Sequence, residues 1–137
     1  MAEPGPLTLT VVTPERSVVE RAACDAVSLP GELGELGILP GHTPLVALLG
    51  VGRVTWTDGG KKTAVAVRSG FVEVAGDAVR VLADLAAEKD AIDPVESRQA
   101  RDEGNVRRLG VVGNEQLETV NADIAFAEAK LAVAQGD

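Results

Sequence analysis

From Leu7 to Asp84 apolar and polar residues alternate with period two between turn signals, which predicts strands that each bury one face. Leu7, Leu9 and Val11 share one face while Thr8 and Thr10 share the other, and the run ends before Pro14. Val54 and Trp56 alternate with Arg53, Thr55 and Thr57, after which Asp58-Gly59-Gly60 reverses the chain. Val65 and Val67 alternate with Ala66 and Arg68. Val72 and Val74 lead into the two-residue reversal Gly76-Asp77, and Val79 and Val81 follow it. Strands this closely spaced, with no helical pattern between them, predict an antiparallel sandwich or barrel in which nearly all of these valines are core. One stretch breaks the alternation. Residues 30–44 carry glycines at 31, 34, 37 and 41 and prolines at 30, 40 and 44, so they are expected to form a shaped loop and cannot be a helix.

After Asp84 the period changes. Ala86 to Ala91 reads as a polar, alanine-rich connector. Asp93 is placed to cap a helix, Pro94 suits its first position, and Glu96 stands where a capping box puts its carboxylate. A helix is expected from 94 to an end between 103 and 109, with Gly104 and Gly110 competing to stop it, then a turn over 110–114. Val95, Ala100 and Val106 form its thin apolar face. Leu117, Val120, Ile124, Ala127 and Leu131 follow at spacings of three and four, a narrow seam suited to a partner helix. The fold class is therefore α+β: a β-sandwich domain over 1–87 and a two-helix hairpin over 88–137, polar enough to dock weakly.

Composition narrows the functions. The 137 residues include two Phe, one Trp and no Tyr, and carry a formal net charge of −8. Stacking platforms for bases and clustered cations for phosphates are both scarce, which argues against nucleic acid as a partner and in favour of proteins. One cysteine, Cys24, and one histidine, His42, exclude an internal disulfide and a zinc site of the usual ligands within one chain. No cofactor is expected. No run of 18 apolar residues occurs, and Met-Ala-Glu-Pro-Gly-Pro lacks the basic-then-apolar order of a signal peptide, so a soluble, cytosolic chain is expected.

The phrase Glu35-Leu36-Gly37-Ile38-Leu39-Pro40-Gly41-His42-Thr43-Pro44 resembles the signature of the epsilon subunit of bacterial F-type ATP synthases, called delta in mitochondria. Ser69-Gly70-Phe71-Val72-Glu73-Val74 and Val79-Arg80-Val81-Leu82-Ala83-Asp84 are similar to two further phrases of that family, in the same order. The resemblance implies an N-terminal β-sandwich, a C-terminal helical hairpin and a non-catalytic place in the central stalk. It implies contact with the gamma subunit and the c-subunit ring, with the alpha and beta subunits as further partners. The membrane would be reached only through the c ring, at the cytoplasmic face of the inner membrane. Carried over by position, Glu35 and His42 fall in the c-ring contact, and Glu32, in an extra Gly-Glu-Leu copy, is a candidate to share it. The runner-up is a free-standing sandwich module for a ligand or peptide.

Other chemistry is thinly supported. Gly31, Gly34 and Gly37 lack the Gly-Lys-Ser/Thr and the following helix of a phosphate loop. His42 has no nucleophile or orienting acid in a recognised motif beside it. Some relatives hold ATP in the hairpin through an Ile/Leu-Asp-x-x-Arg-Ala phrase. Here Ile92 and Asp93 match, Glu96 and Ser97 replace the last two, and Arg98 and Arg101 are the nearby cations, so nucleotide binding is expected to be weak or absent. In members whose hairpin inhibits hydrolysis, basic helix residues meet an acidic segment. The last helix here is acidic, leaving Arg98, Arg101, Arg107 and Arg108 of the first to serve.

Overall fold

The computed structural model describes residues 5–136; the first four residues, part of the stretch read for a targeting signal, lie outside the described residues, as does Asp137. Seven strands come first: β1 (Leu7–Val12), β2 (Ser17–Cys24), β3 (Ala26–Gly31), β4 (Gly34–Ile38), β5 (Leu45–Asp58), β6 (Lys61–Ala75) and β7 (Ala78–Glu88). A short 3-10 turn, Lys89–Ala91, leads to α1 (Pro94–Arg108) and α2 (Asn114–Gln135).

The strands pair in the order β2-β1-β7-β6-β5-β3-β4. All pairs are antiparallel as expected except β1 with β7, which run parallel. That exception follows from topology: β7 reaches β1 only after the chain has traversed the other strands, a crossover no hairpin imposes. Cys24 of β2 and Ile38 of β4 lie on opposite edge strands yet share one buried cluster with Leu9, Val54, Val72 and Val81. Flat, edges six strand spacings apart would be separated by about 29 Å. The sheet must therefore fold over on itself into two layers around that cluster.

The fold line is visible in the ladder. β5, β6 and β7 pair continuously except in one row, Gly50, Ser69 and Asp84, after which the same register resumes. Ser69 has φ 60° in this row, and Gly70, in the next, has φ 120°. The long strands thus bend from one layer into the other without a register shift. At the β5–β6 turn both Gly59 and Gly60 have positive φ, the two-residue geometry that matches strand twist.

Three expectations are corrected. Residues 30–44 are only partly loop: Pro30-Gly31 end β3, Gly34–Ile38 is β4, and the two strands form a hairpin with Leu29 opposite Leu36 and Val27 opposite Ile38. Pro30 is tolerated beside β5 because the β3–β5 register is interrupted between Ser28 and Gly31. The connector begins later than expected, since Ala86 packs on the core and Glu88 still pairs with Val65. Arg16 holds that strand end with two hydrogen bonds to Glu88, at 2.8 and 2.6 Å, and pulls the Glu88 carboxyl below its ordinary range.

The third correction concerns the hairpin. Asp93 caps α1 through Oδ1, which accepts from the Val95 N–H at 3.0 Å, and Pro94 stands first, as expected. The face of α1 that is buried, however, is Ser97 and Gly104, while Val95 and Val106 are exposed and Ala100 points to solvent. Small residues let the helices approach closely: a Cβ on Gly104 would stand 2.6 Å from Ile124 Cγ1. Nor is α2 a single seam. Val120, Ile124, Ala127 and Leu131 are buried along one line, and Ala129 and Val133 are buried along another, packed with Ala66 of β6 and flanked by Ala64, Ile92 and Phe126. Alanines carry the second line, which is why apolar periodicity did not reveal it.

Charge completes the docking. Arg68 shares a face of β6 with Ala66, and its Nη1 donates to Asp123 Oδ1 of α2 at 2.6 Å. Arg107 Nη2 of α1 donates to Asp123 Oδ2 at 2.8 Å. Burial pushes the Asp123 carboxyl up, and the hydrogen bonds from Arg68 and Arg107 outweigh it, so the group sits below its ordinary range.

Gly104→Ala tests the close approach. The methyl gains about 1 kcal/mol of helix propensity, but overpacking against Ile124 costs about 1–3 kcal/mol. A net loosening of about 1 kcal/mol is expected, roughly a fivefold rise in α1 amide exchange. Slower exchange in the variant would show that Ile124 turns aside freely.

A candidate protein-docking surface on the sandwich

Glu35 lies in β4, on the edge of the sheet, with its carboxylate exposed and accepting from Ser28 Oγ of β3. His42 lies in the loop between β4 and β5. Its N–H donates to Leu39 O at 3.1 Å, its Nδ1 stands 2.6 Å from Thr43 O, and Gly41, at φ 80°, donates its N–H to Asp77 Oδ1 at 3.2 Å. The loop is thereby tied to the β6–β7 turn. Among the described residues no hydrogen bond joins Glu35 to His42; Glu35 is exposed, His42 is half-buried, and each is held by local partners. Glu32 sits at the tip of the β3–β4 hairpin, its N–H donating to Leu48 O at 2.9 Å.

That last bond leads to a surface that the alternation pattern missed. Leu48, Phe71 and Leu82 stand opposite one another across β5, β6 and β7, and so share one outward face. All three are exposed, as are Val46 on β5 and Leu33 at the hairpin tip, which is fully in solvent. Leu33, Val46 and Leu48 also line a groove of about 420 Å³ between the hairpin and β5. Apolar residues gathered outside a complete core mark a contact surface. The available signal was phase: Phe71 falls between the inward Val72 and the row of the bend, and Leu82 between the buried Val81 and Ala83.

The nucleotide candidates make separate contacts. Ile92 packs beside the sheet, Asp93 is spent on the cap, Arg101 pairs with Asp102 at 3.1 Å, and Arg98 is exposed. Among the described residues no hydrogen bond or ion pair joins any two of these four. Cys24 is buried, its Sγ 3.8 Å from Leu7 O, and burial pushes its thiol up, away from reactivity.

A β-sandwich folded from one sheet, with an exposed apolar row, a tethered loop and a docked helical hairpin, has the form of a protein-contact subunit and not of an enzyme built round a pocket. The family described as "ATP synthase, Delta/Epsilon chain, beta-sandwich domain" matches residues 6–89. The ATP synthase epsilon chain of Solibacter usitatus is 41% identical over 132 residues, covering 96% of this chain and 97% of that protein. The epsilon chain of Desulforamulus reducens is 45% identical over 121 residues, covering 88% and 89%. Among solved structures, a chain of the Euglena gracilis mitochondrial ATP synthase, OSCP/F1/c-ring, shares the fold with a TM-score of 0.77 at 21% identity, covering 98% of this chain and 84% of that one. A chain of the Tetrahymena thermophila mitochondrial ATP synthase central stalk and c ring gives 0.61 at 14% identity, covering 94% and 99%. The chain belongs to the epsilon-chain family of ATP synthase.

Proposed function

We propose that this chain is a non-catalytic rotor subunit in the central stalk of a proton-translocating F-type ATP synthase, coupling rotation of the c ring to the gamma subunit. The observation that carries the reading is the exposed row Leu48, Phe71 and Leu82 on a sandwich whose core is already complete, in a chain matched along 96% of its length by an epsilon chain. The row is assigned to gamma, and Glu35 with His42 to the c ring. A torque-bearing part must be stiff, and a sheet folded around one core supplies that stiffness. The free-standing binding module gives way, because the relatives that span this chain are subunits of a complex.

Residues 1–87 and 88–137 are read as two units, the sandwich carrying the rotor contacts and the hairpin available for regulation alongside alpha and beta. Nucleotide binding by the hairpin is weak or absent, since Glu96 sets a carboxylate where phosphate would need a cation. No helix among the described residues is long and apolar enough to cross a membrane, and the proposed seat is peripheral, on the cytoplasmic face through the c ring.

Glu35→Lys tests the c-ring assignment. The side chain is exposed, so the isolated subunit stays folded. Protons pumped per ATP hydrolysed by the assembled enzyme are expected to fall at least twofold, because reversing the charge of a packed contact turns each attraction the carboxylate makes there into repulsion. Unchanged pumping with normal assembly would make Glu35 a solvated residue only.

A further inference from the structure

Asp123 is the one carboxylate of α2 that meets both of that helix's neighbours. Its Oδ1 accepts from Arg68 on the sheet at 2.6 Å, and its Oδ2 accepts from Arg107 on α1 at 2.8 Å. The two lines of apolar contact made by α2 run to the same two neighbours, and both rest largely on small side chains. Ser97 and Gly104 face it from α1, and Ala66 and Ala64 from the sheet. Among the described residues, the sandwich core contains no residue of either helix. The hairpin's seating is therefore separable from the stability of the sandwich, and the ionic cluster ties the three elements together at one point.

We infer that Asp123 is a latch that couples two closures, the folding of α1 onto α2 and the seating of α2 on the sheet, so that releasing one loosens the other. A carboxylate is rigid and planar. With Oδ1 fixed by Arg68, Oδ2 is aimed at Arg107; with Arg68 gone, the side chain recovers its rotamer freedom and the bond to Arg107 loses its fixed acceptor. Arg68 is thus a positioning residue for a contact that it does not make. The coupling is independent of the rotor reading, because it concerns the isolated chain.

Residue-resolved amide exchange of the full-length chain tests it. Arg68→Ala is expected to raise exchange across α1 about tenfold, although Arg68 pairs with α2, while amides of β1 and β7 keep their protection. The same substitution made in an Asp123→Ala or Asp123→Asn chain is expected to add nothing further in α1. Three results would each overturn the latch: α1 exchange unchanged by Arg68→Ala, a parallel rise in β1 and β7, or an equal rise in α1 when Asp123 is already absent.

Discussion

Gly70→Ala unfolds or severely weakens the sandwich, with an expected loss of about 4 kcal/mol or more, a size reached only through a named steric or electrostatic fault. A Cβ at this position would stand 1.9 Å from Leu82 O, 2.9 Å from Leu82 C and 3.0 Å from Ala83 Cα, all backbone atoms of β7. No rotamer relieves a clash with backbone, so β6 and β7 must part beside the row where the sheet folds over. The φ of 120° adds to the cost, because it lies outside the small left-handed region that other residues enter. Gly76→Ala is the control. Gly76 also has positive φ, 59°, but nothing lies within 4 Å of its added methyl, and about 1–2 kcal/mol is expected there. Thermal melts followed by circular dichroism should separate the pair by about 10 °C or more, at several degrees per kcal/mol for a domain of this size. Equal midpoints would mean that the bend relaxes around the methyl and does not set the fold.

What was legible in the chain follows from side-chain size. Valine strands declared themselves because β-branched residues recur with period two around turns that glycines mark, as in Val72, Val74 and the Gly76-Asp77 reversal. The β3–β4 hairpin did not, because Gly31, Gly34 and Gly37 interrupt the alternation while leaving Leu29 against Leu36 intact. The same blindness to small residues hid the hairpin's packing. Ser97 and Gly104 carry the buried face of α1, and Ala129 the second face of α2, whereas Val95 and Val106, which looked like core, face solvent. The Asp93 cap was legible from local chemistry alone. Glu35 and His42 were not: one is exposed, the other half-buried, and both are held by near neighbours, so their candidacy rests on the family phrase around them. Arg68 appeared as a charged position in phase with Ala66 and alternating with Val65 and Val67, and only the fold shows that this face is covered by α2 and that Asp123 waits on it.

The double substitution Leu48→Asp with Phe71→Asp should abolish assembly while leaving the subunit folded. Both side chains point away from the core and stand opposite each other in one row, 60% and 43% exposed in the isolated chain. Their removal takes nothing from the buried cluster, and the midpoint of thermal unfolding should shift by only a few degrees. Their proposed partner is different. If gamma covers this row, each aspartate is carried into a dehydrated contact without a counter-charge, which costs several kcal/mol, and the aromatic anchor of the patch is lost as well. The affinity for gamma should fall at least about a hundredfold, roughly 2.7 kcal/mol. Capture of the complex through a tagged gamma subunit measures it: the variant should be missing from material that retains the native chain. Retention of the variant at the native ratio, with the c ring present, would place gamma elsewhere on the sandwich and leave the exposed row without its assigned partner.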